Sequence, residues 1–286
     1  MSFPSESKTA TKTDPVLKTA RQLRASGNSE SALTEYLRYL FFHPAAPNIA
    51  DVYFEMGQTY LQLNQWDEAK EAWRQSIKLA SADSLKNARR VTLAIQSIAH
   101  QNYSLAVLEL LKVVSFGKQR PLRRKAQFYL GVAEVYLLDF NQAEAAFRRY
   151  FSNVPSFFGR KTWTKLLVLL KRGEALRPKS DAVAKWLSTF LPGLGQLYAG
   201  DVKNALNALI LNGAIGYGVG QAFFQRDYID AILEGSLLFQ RYYLGNRFHA
   251  ARLASERPLQ RKRKIAAKIL DVLHAYLKKT AEISER

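Results

Sequence analysis

Four histidines, His43, His100, His249 and His274, are the side chains best suited to ligate a metal or move a proton near neutral pH. They are scattered along the chain without metal-ligand spacing. Cysteine is absent, which removes thiolate zinc sites, disulfides and thiol nucleophiles together. Ser115-Phe-Gly-Lys118 matches S-x-x-K by residue type alone, and it falls in a loop between helical segments. Gly216-x-Gly218-x-Gly220 is not the dinucleotide fingerprint and opens no βαβ unit. A P-loop string is missing, and no carboxylate pair stands out for acid–base work. The chemistry these residues favour is electrostatic. Net charge is +18, of which +12 falls in residues 158–286, and Arg261-Lys262-Arg263-Lys264 is its densest run. Such a balance suits an anionic partner, whether phospholipid headgroups, nucleic acid or an acidic protein face. No catalytic residue, metal, cofactor or small-molecule substrate is expected, and the chain reads as a non-enzyme.

The elements that would carry this charge follow a period. A small residue recurs at Ala32, Ala69, Ala106 and Ala143, always 37 residues apart. Four residues later stands a large apolar one: Tyr36, Trp73, Leu110 and Phe147. A second small series, Ala20, Gly57, Ala94 and Gly131, keeps the same period. Small residues at matched positions let two helices cross closely, and the large neighbour fills the space beside the crossing. One such helix pair cannot bury its apolar face alone, so several must stack. Pro44 and Pro155 close the first and fourth pairs.

Tyr53-x-x-Met56-Gly57-x-x-Tyr60 followed by Ala69-x-x-x-Trp73 resembles the tetratricopeptide repeat (TPR), and the resemblance spans about residues 13–157. It implies a solenoid of about four helix-turn-helix units with a concave groove. The fifth and ninth positions of each first helix would then face the groove: Leu17, Phe54, Val91 and Phe128, with Arg21, Gln58, Ile95 and Val132. The apolar fifth-position row points to a protein partner, either a helix or an extended segment. The alternative is that these side chains are core, or are covered by the C-terminal region. The Lys/Asn clamp for a peptide's terminal carboxylate is absent.

The second half divides by composition. Residues 158–185 read as one basic amphipathic helix, ending at Arg177-Pro178, that either caps the solenoid or rests on a membrane. Residues 186–254 form a Gly-rich helical module. Within it, Asn204–Gln225 carries no charge and would make a helix about 33 Å long, enough to cross a bilayer core. Asn204, Asn207, Asn212 and Gln221 count against burial in lipid. Tyr228–Gly245 is a poorer second arm, with Asp230, Glu234 and Arg241. Basic residues flank both ends, which places both ends of a membrane hairpin in the cytoplasm. A soluble helical packing is the alternative. Residues 255–286 read as a basic amphipathic helix whose Arg261, Lys262, Arg263 and Lys264 would face anionic lipid. Nucleic acid is disfavoured because no aromatic interleaving accompanies the run.

Pro192-Gly193-x-Gly195-Gln196-x-Tyr198-x-Gly200, with Tyr242-Tyr-Leu-Gly245-Asn246-Arg247, resembles the C-terminal module of a group of bacterial TPR proteins usually called membrane-associated. The resemblance implies an envelope protein and no reaction. The expectation is therefore an all-α scaffold: residues 1–12 disordered, 13–157 repeats, 158–185 cap, 186–254 module and 255–286 tail. It would sit at the bacterial inner membrane with its repeats in the cytoplasm. The polar start shows no secretory signal; a periplasmic helical subunit, its signal removed, is the alternative.

Overall fold

The structure is a computed structural model in which residues 14–152, 157–177, 179–226, 229, 232 and 240–284 are described. It is all-α, with no strand among the described residues, and its first part is a helical repeat solenoid. Backbone packing divides the chain into two compact units: Met1–Leu137 with Ala145–Asn153, and Leu138–Glu144 with Val154–Arg286.

The repeats comprise α1 (Pro15–Ala25), α2 (Ser29–Phe42), α3 (Ile49–Gln62), α4 (Trp66–Leu79), α5 (Asp83–Ala99), α6 (Tyr103–Phe116), α7 (Arg120–Tyr136) and α8 (Phe140–Phe151). The periodic alanines Ala20, Ala32, Ala69, Ala94, Ala106 and Ala143 are all 0% exposed. The two glycines of the series mark tighter crossings. A Cβ on Gly57 would lie 2.5 Å from the Trp73 indole nitrogen, and one on Gly131 would lie 2.5 Å from the Phe147 ring. No real Cβ tolerates that distance. Trp73 is fixed further by donating from Nε1 to the Phe54 carbonyl at 3.2 Å.

The turn inside each helix pair repeats as faithfully. Gly27, Asn64, Gln101 and Leu138 all have positive φ, at 83°, 57°, 60° and 63°. The residue after each turn wraps back on the first helix: the Asn28, Gln65 and Asn102 N–H groups donate to the Leu23, Tyr60 and Ser97 carbonyls at 2.9, 2.9 and 2.7 Å. This is the left-handed helix ending, which satisfies carbonyls that a helix terminus would otherwise leave open. The same residue then caps the next helix. Asn28, Asn102 and Asp139 accept from the Ser31, Leu105 and Gln142 N–H groups. Gln65 makes no such bond.

The second unit contains α9 (Phe157–Glu174), α10 (Asp181–Phe190), α11 (Leu194–Ala199), α12 (Val202–Phe224) and α13 (Gln240–Ser284). Leu166 and Leu170 of α9 are buried, and Ile265, Ile269, Leu273 and Tyr276 of α13 are buried where the two helices pack. Phe158 stacks on Tyr276 with ring centroids 5.7 Å apart. α10 and α11 pack on the earlier part of α13 through Ala184, Ala199, Ala250 and Ala254.

Two expected elements are drawn differently. Residues 158–185 are not one helix: α9 ends at Glu174, and α10 begins at Asp181 with Ser180 as its cap. The C-terminal helix starts at Gln240, not near 255, and runs through Pro258. Proline has no N–H to offer the carbonyl four residues back. That carbonyl, of Ala254, accepts instead from the Lys179 N–H at 3.4 Å. Pro155, Pro178, Asp230, Glu234 and residues 1–12 lie outside the described residues.

Candidate functional site

The expected groove positions fall into two groups. Leu17 and Val91 are 2% exposed and Phe128 is 4% exposed, so these three are core and cannot line an open groove. Phe128 packs against Phe147 and Tyr150 of its own pair; for the other two the reason is the close stacking of successive pairs. Leu17 packs with Val52 and Met56 of the next pair, and Val91 packs with Leu110 and Ala126. Phe54 is partly buried, with the Arg89 guanidinium 5.6 Å from its ring centre. Gln58, Ile95 and Val132 keep some exposure. Gln58 accepts from Arg24 at 2.9 Å, and Arg21 forks onto Glu55 at 2.9 to 3.1 Å. Tyr36 donates to the same carboxylate at 2.9 Å. Burial beside this carboxylate raises the tyrosine's pKa, so it remains a neutral donor.

Arg89 is the deepest charge in the array, at 3% exposure. It bonds the Ser76 carbonyl at 3.0 Å and pairs with Asp51, joining α3, α4 and α5. Burial lowers its pKa, and Asp51 opposes that shift.

The open apolar surface of the array lies elsewhere. Phe42, Leu79 and Phe116 are exposed at the last position of α2, α4 and α6. Phe41 and Phe116 are each 79% exposed. Beside them a cleft of about 430 Å³ is lined by Leu40, Pro44, Pro47, Ile49, Tyr53 and Leu79. The spacing of Phe42, Leu79 and Phe116 is again 37 residues. This signal was available in the sequence, but it falls outside the crossing residues that reveal the repeat.

In the second unit the Gly-rich motif is architectural. Gly193 and Gly200 adopt φ of 104° and 85°, flanking the six-residue α11. A Cβ on Gly195 would meet the Ala184 carbonyl and Ser188 Oγ at 2.2 Å. The Gly195 N–H donates to Ser188 Oγ at 3.1 Å, and Ser188 donates to Gln196 Oε1 at 3.3 Å. Gln196 is 1% exposed and donates to the Asn246 side chain, and to its carbonyl at 3.2 Å. The structure thus brings Gly195 and Gln196 to Asn246 of α13. Pro192 and Tyr198 are partly buried, and Lys179 Nζ lies 5.0 Å from the Tyr198 ring centre. Gly245 has open space around it.

This framework aims α12. Asp201 is 4% exposed and caps the helix through the Asn204 N–H at 3.2 Å. It also accepts from the Asn204 side chain at 2.6 Å and pairs with Arg257 of α13 at 2.6 Å. Burial opposes the charge. The Asn204 bonds, Arg257 and His249 outweigh it and hold the Asp201 carboxyl below its usual range. Beyond this root only Ala205 and Ala208 of α12 are buried. Leu206, Ile210, Leu211, Tyr217 and Phe224 are exposed, the last at 89%.

The uncharged run is therefore one helix, about 35 Å long by its 23 residues. No helix among the described residues, however, is long and apolar enough to cross a membrane. Length is not what α12 lacks; its amides and glycines dilute its apolarity. Two of those amides are satisfied locally, Asn204 on Asp201 and Asn212 on the Ala208 carbonyl at 2.7 Å.

The basic run does not form one lipid-facing strip. Successive residues of a helix point in different directions, and only those three or four apart share a face. Lys262 turns inward, its Nζ 5.9 Å from the Phe140 ring centre. Arg261 and Lys264 line a cleft against α9, and Arg263 is exposed. The apolar stripe of this helix, from Ile265 to Leu273, is buried and is not free for lipid. No group of three metal-capable side chains occurs among the described residues.

Residues 50–83, which span α3 and α4, match the family described as tetratricopeptide repeat. No curated protein matches the chain at a significant level. A tetratricopeptide repeat within a stack of like helix pairs marks a protein–protein interaction scaffold.

Proposed function

We propose that the protein is a non-enzymatic scaffold of the bacterial envelope that holds a protein partner on its repeats and rests on the inner membrane through its second unit. The observation that carries the reading is α12, a 23-residue helix whose large apolar side chains are exposed. An apolar surface of that extent is a contact surface. Lys203 lies in its first turn, and the same unit carries Lys179 over the Tyr198 ring and Lys185 over the Phe248 ring. That combination suits a helix lying in the headgroup region of an anionic bilayer, not one crossing it. The repeats then stand on the cytoplasmic side, and their exposed edge at Phe42, Leu79 and Phe116 takes the partner. Nucleic acid has no support beyond charge.

Vesicle flotation of the full-length chain tests this. The wild type should float with vesicles containing phosphatidylglycerol, and L206S/I210S/F224S should remain at the bottom of the gradient. A wild type that stays soluble with every vesicle type rules the membrane reading out. It would favour the second reading of α12, as the contact of a soluble periplasmic helical subunit with another chain of a larger complex.

A further inference from the structure

We propose that the cleft between α9 and α13 binds the phosphate of an anionic phospholipid. This rests on the membrane reading above and assigns it a specific site. The cleft has a volume of about 300 Å³. Arg172 enters it from α9, and Arg261, Lys264 and Lys268 enter from α13. The three α13 positions are three and four apart, so they share one face. None of the four is ion-paired to a carboxylate among the described residues, and no acidic side chain lines the cleft. Four cations converging on a small volume without a counter-charge repel one another, and an anion relieves that repulsion.

The chemistry narrows the anion. Two of the four cations are guanidinium forks, which match the paired oxygens of a phosphate. The remaining lining is apolar, from Leu169, Leu176 and Ile265. Inorganic phosphate leaves that wall unused. A phospholipid engages both parts, with its phosphate on the cations and its glycerol and first acyl carbons on the leucines. The position agrees. Arg261 Nη2 lies 3.7 Å from where a side chain on Gly200 would begin, and Gly200 directly precedes the cap of α12. The cleft therefore opens beside the root of the exposed apolar helix, as a headgroup site should.

The test uses the full-length chain, with R261Q/K264Q as the cleft variant. R263Q/K278Q removes the same charge outside the cleft, and circular dichroism checks both folds. Affinity for vesicles containing phosphatidylglycerol should fall about tenfold for the cleft variant and less than about twofold for the other. Equal losses overturn the site in favour of diffuse attraction. A second arm follows the thermal midpoint with soluble dihexanoyl phosphatidylglycerol, inorganic phosphate or polyglutamate. The short-chain lipid should raise the midpoint of the wild type but not of R261Q/K264Q. Equal protection by inorganic phosphate would make this a free-phosphate site, and equal protection by polyglutamate an acidic-peptide site; either overturns the lipid assignment. The short-chain arm reads the cleft even if the chain floats with no vesicle, so failure of the membrane reading is seen separately.

Discussion

Gly57 and Trp73 make a reciprocal pair, because the indole occupies the space a Cβ would need. Gly57→Ala should cost about 1–3 kcal/mol through overpacking. Trimming the indole should relieve it: W73L carries its own cavity cost, but G57A/W73L should be more stable than the sum of the single effects predicts. Ala94 beside Leu110 is the native precedent for that combination. Denaturant midpoints of the four proteins check the coupling. A second prediction concerns Leu138, a bulky residue at φ 63°. Leu138→Gly should change stability by less than about 1 kcal/mol, because relief of the left-handed penalty is offset by the loss of a half-buried side chain and by glycine's greater entropy when unfolded. Thermal unfolding of the variant measures it.

Much of the repeat was legible at this scale, and the groove was not. Ala32, Ala69, Ala106 and Ala143 report a local requirement, two helices in near contact, so their spacing carries the fold directly. Leu17, Val91 and Phe128 are apolar for either of two reasons, burial against the next pair or exposure to a partner. Residue type cannot separate these; the packing does, burying Leu17 and Val91 beside the next pair and Phe128 against Phe147 and Tyr150 of its own.

At the scale of elements, Asp201 decides where α12 points. Its pKa is lowered in the folded state. A depressed carboxylate favours the folded chain above its unfolded value of about 4, and that contribution is lost as pH falls through the lower folded value. Asp201→Asn should therefore lose stability at neutral pH, and its deficit should shrink as the solution is acidified below about pH 4. A pH series of denaturation midpoints for both proteins shows whether the curves converge. The breaks around α11 were readable from Pro192, Gly193 and Gly200. The continuous 45-residue α13 was not. Pro258 suggests a boundary when read alone, and the acceptor role of Ala254 toward Lys179 is a tertiary fact.

At the scale of the whole molecule, a net charge of +18 acts over distance. Exposed charges are screened within about 8 Å at physiological ionic strength. Association of the full chain with anionic vesicles should weaken steeply as salt rises. With neutral vesicles, where only the apolar helix contributes, it should change little. Flotation across a salt series separates the two contributions.

The alternation of glycine and alanine at the helix crossings also sets a grammar for exchanging parts. Pairs two and four share a glycine facing an aromatic ring, while pair three sets alanine against leucine. A chimera that moves α4 into the place of α8 would keep glycine under its indole. The same helix in the place of α6 would drive that indole into the methyl of Ala94. Exchange of α4 should therefore be tolerated in the place of α8 and not in that of α6, and shuffled libraries should keep glycine opposite the large rings of these two pairs.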